Sequence, residues 1–93
     1  MHLALIYKLV DNYLDLRPPL RDEHLALAQE AHERGDLALA GAFNDPADRG
    51  LLVWSTDDED VVRRFAEADP YVRNGLVKSW EIRRWNVVVG AGD

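Results

Sequence analysis

Residues Leu3 to Val10 (LALIYKLV) are apolar at nearly every position, and no other stretch restricts the fold as much. A strand with one wet face alternates apolar and polar residues, whereas a continuous apolar run implies burial on both faces. Leu3, Leu5 and Leu9 fall on one side, Ala4, Ile6 and Val10 on the other, and Leu51-Leu52-Val53-Trp54 repeats the pattern. A chain of 93 residues reads as one domain, 1–93, with few elements available to cover two apolar sheet faces.

The rest of the chain supplies those elements. Asp11 to Arg17 is polar and irregular, and Pro18-Pro19 opens a helix, whose first turn needs no backbone donors. Leu20, His24, Leu27, Ala28 and Ala31 share one helical face, and Gly35 stands where a left-handed cap belongs. Asp36 to Phe43 reads as a second strand, Asn44 to Gly50 as a turn, and Leu51 to Ser55 as a third strand. Thr56-Asp57-Asp58-Glu59 fits a capping box with Thr56 at the cap, leading a helix whose buried stripe is Val61, Val62, Phe65, Ala66 and Ala68. Asp69-Pro70 stops that helix. Leu76 to Val89 then forms a long last strand, and Gly90 to Asp93 is a tail.

This order, strand-helix-strand-strand-helix-strand, predicts an α+β, ferredoxin-like fold: a four-stranded antiparallel sheet with two helices on one face. The uncovered face is apolar too, which predicts a homodimer packed through the sheets.

Composition narrows the function. A net charge of −6 with no basic stripe argues against nucleic acid. The absence of cysteine removes disulfides, thiolate nucleophiles and zinc–thiolate sites. No apolar run approaches the roughly 20 residues needed to span a bilayer. The N-terminus lacks a basic lead and a small-residue cleavage site, so no signal peptide and a cytoplasmic location are expected.

Among the three histidines, His2 is terminal and reads as incidental, while His32 sits near a helix end that suits a cationic ring. His24 shares the apolar face with Leu20 and Leu27, and is either a packed, satisfied histidine or a functional base. His24 and His32 are too far apart to chelate from adjacent turns, and the acidic run at 57–60 lacks a calcium-loop pattern, so no metal is expected. Neither the serines nor the glycines form a nucleophile elbow or a phosphate loop. Tyr7 and Tyr71 are candidate polar tips of a pocket or simple rim aromatics. Asp69, before a proline, either starts a turn on its own backbone or orients an imidazole.

Arg21-Asp22-Glu23-His24-Leu25, Arg34-Gly35-Asp36-Leu37, Ala40-Gly41, Ala68-Asp69-Pro70-Tyr71 and Gly75-Leu76 occur in this order over nearly the whole chain. In this the sequence resembles the YciI-like (YCII-related) family. The resemblance implies a dimeric α/β barrel of ferredoxin-like subunits. It also implies an active-site pair at His24 and Asp69, and small-molecule chemistry, which in a few relatives belongs to the breakdown of aromatic compounds. Gly41-Ala42 replaces a frequent glycine-proline pair, and the turn at 44–50 is compact, so substrate identity does not carry over. The expected protein is a cofactor-free acid–base lyase, isomerase or dehydrohalogenase acting on a cyclic or aromatic metabolite. His24 would move a proton, Asp69 would hold its tautomer, and Tyr7, Tyr71 and Gly41 would line the pocket. The rival is a non-catalytic module that binds a small molecule or another protein.

Overall fold

The computed structural model of the protein describes residues 2–90. Strand β1 (His2–Leu9) leads through a one-turn helix α1 (Tyr13–Leu16) into the long helix α2 (Pro18–Glu33). Strands β2 (Leu37–Ala42) and β3 (Arg49–Trp54) follow, then helix α3 (Glu59–Ala68), a second one-turn helix α4 (Pro70–Arg73) and strand β4 (Val77–Trp85). The sheet order is β2-β3-β1-β4, with all neighbours antiparallel. The fold is α+β and ferredoxin-like, as the order of apolar and turn segments predicts.

The register assigns every strand residue a face. Leu3, Leu5 and Tyr7 pair with Trp54, Leu52 and Gly50, and all of these lie on the helix-covered side. Buried Leu3, Leu5, Trp54 and Val62 form the middle of the core, and the Phe65 ring meets Trp54 edge-on at 5.1 Å. Edge-to-face aromatic pairs of this kind add to the area they bury. The other side carries Ile6, Leu51, Val53 and Leu39, the last 64% exposed.

Helices α2 and α4 end in the same way. Gly35 (φ 88°) and Gly75 (φ 81°) take the left-handed conformation that glycine adopts without penalty. Behind each, two amide groups fold back on the helix: Asp36 to Ala31 and Gly35 to His32, then Leu76 to Tyr71 and Gly75 to Val72. Both are Schellman caps.

Five details differ from the sequence reading. The stretch Asp11–Arg17 contains α1, and the segment after Asp69 contains α4. The cap of α3 is Asp58, which accepts from the Asp60 amide, while Thr56 accepts from the Asp58 amide one step earlier. His2 is not a loose end: it opens β1 opposite Trp85 and is buried. The last strand stops at Trp85, which pairs with His2, the first residue of β1. Val88 and Val89 are accordingly 83% and 85% exposed. The tail beyond Gly90 lies outside the described residues.

Candidate active site

Asp69 links α3 to α4. Its amide caps α3 by donating to Phe65, and its carboxylate caps α4 by accepting from the Tyr71 amide at 3.0 Å. Pro70, in the first turn of α4, has no amide to satisfy. The turn-starting and imidazole-orienting readings of Asp69 therefore describe the same side chain. The Tyr7 hydroxyl donates to Oδ2 at 2.7 Å, and His24 Nδ1 lies 2.8 Å from Oδ1. Asp69 is completely buried, and the His24 side chain is 14% exposed.

These contacts decide the imidazole tautomer. A carboxylate oxygen can only accept, so Nδ1 carries the hydrogen, and in the neutral ring it is Nε2 that presents the lone pair. None of the described residues hydrogen-bonds to Nε2. The ring is also held in plane, stacked on Tyr71 with centroids 3.9 Å apart and 9° between planes. Tyr13 meets Tyr71 edge-on at 5.7 Å, and the Arg17 guanidinium lies 5.4 Å from the centre of the Tyr13 ring.

Burial acts first on Tyr7, pushing its phenol far above the ordinary value, and the Asp69 charge and hydrogen bond add to the rise. Tyr7 is a neutral donor throughout the physiological range. Burial likewise raises Tyr71, reinforced by Tyr13 and opposed by Arg21 and Arg17. The Tyr71 hydroxyl is buried without a hydrogen-bond partner.

His24, Tyr7 and Tyr71 border a cleft of about 690 Å³ between α2 and the edge strand β2. That volume falls within the roughly 300–1,000 Å³ of small-molecule sites. The opening follows from side-chain size: Ala40 and Ala42 pair with Leu52 and Gly50, so they face α2, and alanine leaves the gap unfilled. Gly41 forms part of the opposite wall through its backbone. Its register with Leu51 directs the Cα substituent to the other sheet face, where an added Cβ would meet nothing within 4 Å.

The structure thus joins His24, Asp69, Tyr7 and Tyr71 in one network and leaves Gly41 across the cleft. Tyr7 is not a rim aromatic with a hydroxyl in water, since its hydroxyl is committed to Asp69. His32 lines the cleft as well, its Nδ1 donating to the Leu37 carbonyl at 2.8 Å. Sequence reasoning missed Tyr13, Arg17 and Arg21. The available signal was Tyr13 within the short connection that precedes the two prolines. Among the described residues, no three histidine, aspartate or glutamate side chains gather as a metal site. No helix there is long and apolar enough to cross a membrane.

The model of the YCII-related domain matches residues 1–86. The chain belongs to the YCII-related family. Similar solved structures include 5-chloro-2-hydroxyhydroquinone dehydrochlorinase (TftG) from Burkholderia phenoliruptrix AC1100, in complex with 2,5-dihydroxybenzoquinone. It has a TM-score of 0.77 and 20% identity, over 92% of this chain and 94% of that one. A NIPSNAP family protein (ATU5224) from Agrobacterium tumefaciens has a TM-score of 0.60 and 16% identity, over 99% and 97% of the two chains. Protein Atu4242 from the same species has a TM-score of 0.56 and 15% identity, over 88% of each chain. At these identities the likeness concerns the fold. No curated protein sequence matches the chain.

Proposed function

We propose that the cleft is the active site of a small-molecule enzyme in which His24 moves a proton and Asp69 positions it. One observation carries this reading: Nδ1 of His24 is tied to a buried carboxylate at 2.8 Å, which leaves Nε2 as an unpaired base at the wall of the cleft. A general base needs that arrangement, a free lone pair on a ring whose tautomer and plane are fixed by a second group. Tyr7 positions Asp69 in turn, and Tyr71 braces the imidazole through stacking.

The reaction class that fits is elimination or isomerisation on a cyclic or aromatic metabolite, with no cofactor required. In a dehydrohalogenation, Nε2 takes a proton from a ring hydroxyl or ring carbon. The released electron pair enters the ring system, and the halide leaves with the carbon–halogen pair, so proton and halide are the net loss. The dehydrochlorinase named above supports this reading as a structural relative that acts on a hydroxylated, chlorinated ring. The working unit is a homodimer packed through the open sheet face around Ile6, Leu39, Leu51 and Val53. A sedimentation run at micromolar concentration that returns only monomer removes this part.

The test is turnover of a panel of halogenated di- and trihydroxybenzenes, followed by halide release. His24→Ala and Asp69→Asn should each lower the rate about 10²–10⁴-fold, the range for general acid–base catalysis. Variants as fast as wild type overturn the pairing, and binding without turnover by wild type favours the non-catalytic module.

A further inference from the structure

The walls of the cleft have a charge pattern opposite to that of the chain. The sequence holds 17 acidic against 11 basic residues, yet no aspartate or glutamate lines the cleft among the described residues. Asp69 is buried behind His24 and Tyr7. The charged side chains on the walls are Arg17 and Arg21, at the start of α2. Neither makes an ion pair with a described residue; Lys8, Arg64, Arg73 and Arg83 make none either, but those four lie outside the cleft walls.

Their position runs against helix stability. The N-terminus of a helix is its positive end, where carboxylates stabilise and cations oppose. Helix α3 follows that rule, with Asp58 as its cap and Glu59 and Asp60 in its first turn. Helix α2 has no acidic residue in its first turn, Arg17 stands at its cap, and Arg21 is one turn in. Arg17 also closes the C-terminal end of α1 and lies 5.4 Å from the centre of the Tyr13 ring, so it has a structural role besides; helix stability gives no account of Arg21.

A buried polar atom lies beside them. The Tyr71 hydroxyl makes no hydrogen bond of good geometry, although Tyr13 acts on it closely enough to raise its pKa, and the residue is 2% exposed and lines the cleft. A buried donor without an acceptor carries a desolvation cost that a ligand oxygen would relieve. Burial, then Tyr13, pushes the Tyr71 phenol upward while Arg21 and Arg17 pull it back, as cations close to its oxygen do. The guanidiniums, this hydroxyl and the His24 ring stacked on Tyr71 therefore belong to one end of the cleft.

We propose that Arg17 and Arg21 are specificity-determining residues that select a ring compound already ionised at neutral pH, and that the Tyr71 hydroxyl donates to the same anionic oxygen. The oxygen is a ring carboxylate, or a phenolate or enolate of low pKa, and the neutral form of the same ring is disfavoured. This rests on the proposed active site and adds to it the charge of the substrate.

Matched probes test the charge directly. 2,5-Dihydroxybenzoate, its neutral amide and the anion of 2,5-dihydroxybenzoquinone are titrated into the full chain, with binding read from the His24 and Tyr71 NMR signals. Wild type should bind each ionised probe at least about 10-fold more tightly than the amide, as expected for one charge-assisted contact. Arg17→Gln with Arg21→Gln should abolish that preference, and the double lysine variant should keep part of it. Arg21→Gln alone should melt no lower than wild type, because it removes a cation from a positive helix end, which keeps loss of folding apart from loss of binding. The proposal is overturned if acid and amide bind alike, if the preference survives in the glutamine double variant, or if no ionised probe binds wild type at millimolar concentration. Failure here with His24-dependent turnover of neutral rings leaves the acid–base reading standing. Arginine-dependent anion binding without any effect of His24→Ala on turnover does the reverse.

Discussion

Helix α3 buries Val62, Phe65 and Ala66 in ten residues, whereas α2, sixteen residues long, buries only Ala31. Both lie over the same sheet, and the strands beneath them account for the difference. Under α3 are the large side chains of the inner strands, with Trp54 against Phe65. Under α2 is the edge strand β2, which presents Ala40 and Ala42. The packed half of the molecule contributes most of the stability, and the underfilled half contributes the cleft. Buried apolar area and ligand space exclude one another, so a small chain that needs both divides them between its two helices.

Truncations to alanine on the two helices give the largest expected contrast. Phe65→Ala should cost about 3–5 kcal/mol in urea unfolding, as for other buried aromatics. Leu25→Ala, at a position 45% exposed on the cleft side of α2, should stay within about 0.5 kcal/mol. Similar losses at both positions would erase the division.

A smaller effect is expected where the halves meet. Tyr7→Phe removes a hydrogen bond to a buried carboxylate and should cost about 1.5–3 kcal/mol. The same residue sets an alkaline limit. Below its ordinary pKa of 10, Tyr7 keeps its proton in both folded and unfolded chains. Above pH 10 the unfolded chain loses that proton and the folded chain retains it, so stability falls as pH rises, by up to about 1.4 kcal/mol per unit. Tyr71, also raised, adds a slope of the same sign. Thermal melts from pH 9 to 11 should therefore decline less steeply in Tyr7→Phe than in wild type; equal slopes would mean that Tyr7 is not the retained proton.

The fold was legible because its signals are periodic. The continuous apolar run of β1, the stripe of α3 and the glycines at 35 and 75 each follow from one rule about burial or backbone conformation. The short helices were not legible, since four residues are too few to show a helical period. Val87 to Val89 misled for another reason: β-branched residues favour a strand, but a strand needs a neighbour, and β1 begins opposite Trp85. Within the site, the histidine and the aspartate stood out by residue type and by family resemblance. The arginines did not, because at the surface of a helix an arginine bound for solvent and one bound for a ligand look the same. Only the acid-free walls around them separate the two.

Asp69 ends one helix, begins another and holds the imidazole, so two pressures act on one position. Proteins of this family that have lost activity are expected to keep the aspartate, because the chain needs it to turn the corner after α3, and to drop the histidine first. On the proposed role of His24, an inventory of active members should be drawn from the histidine alone.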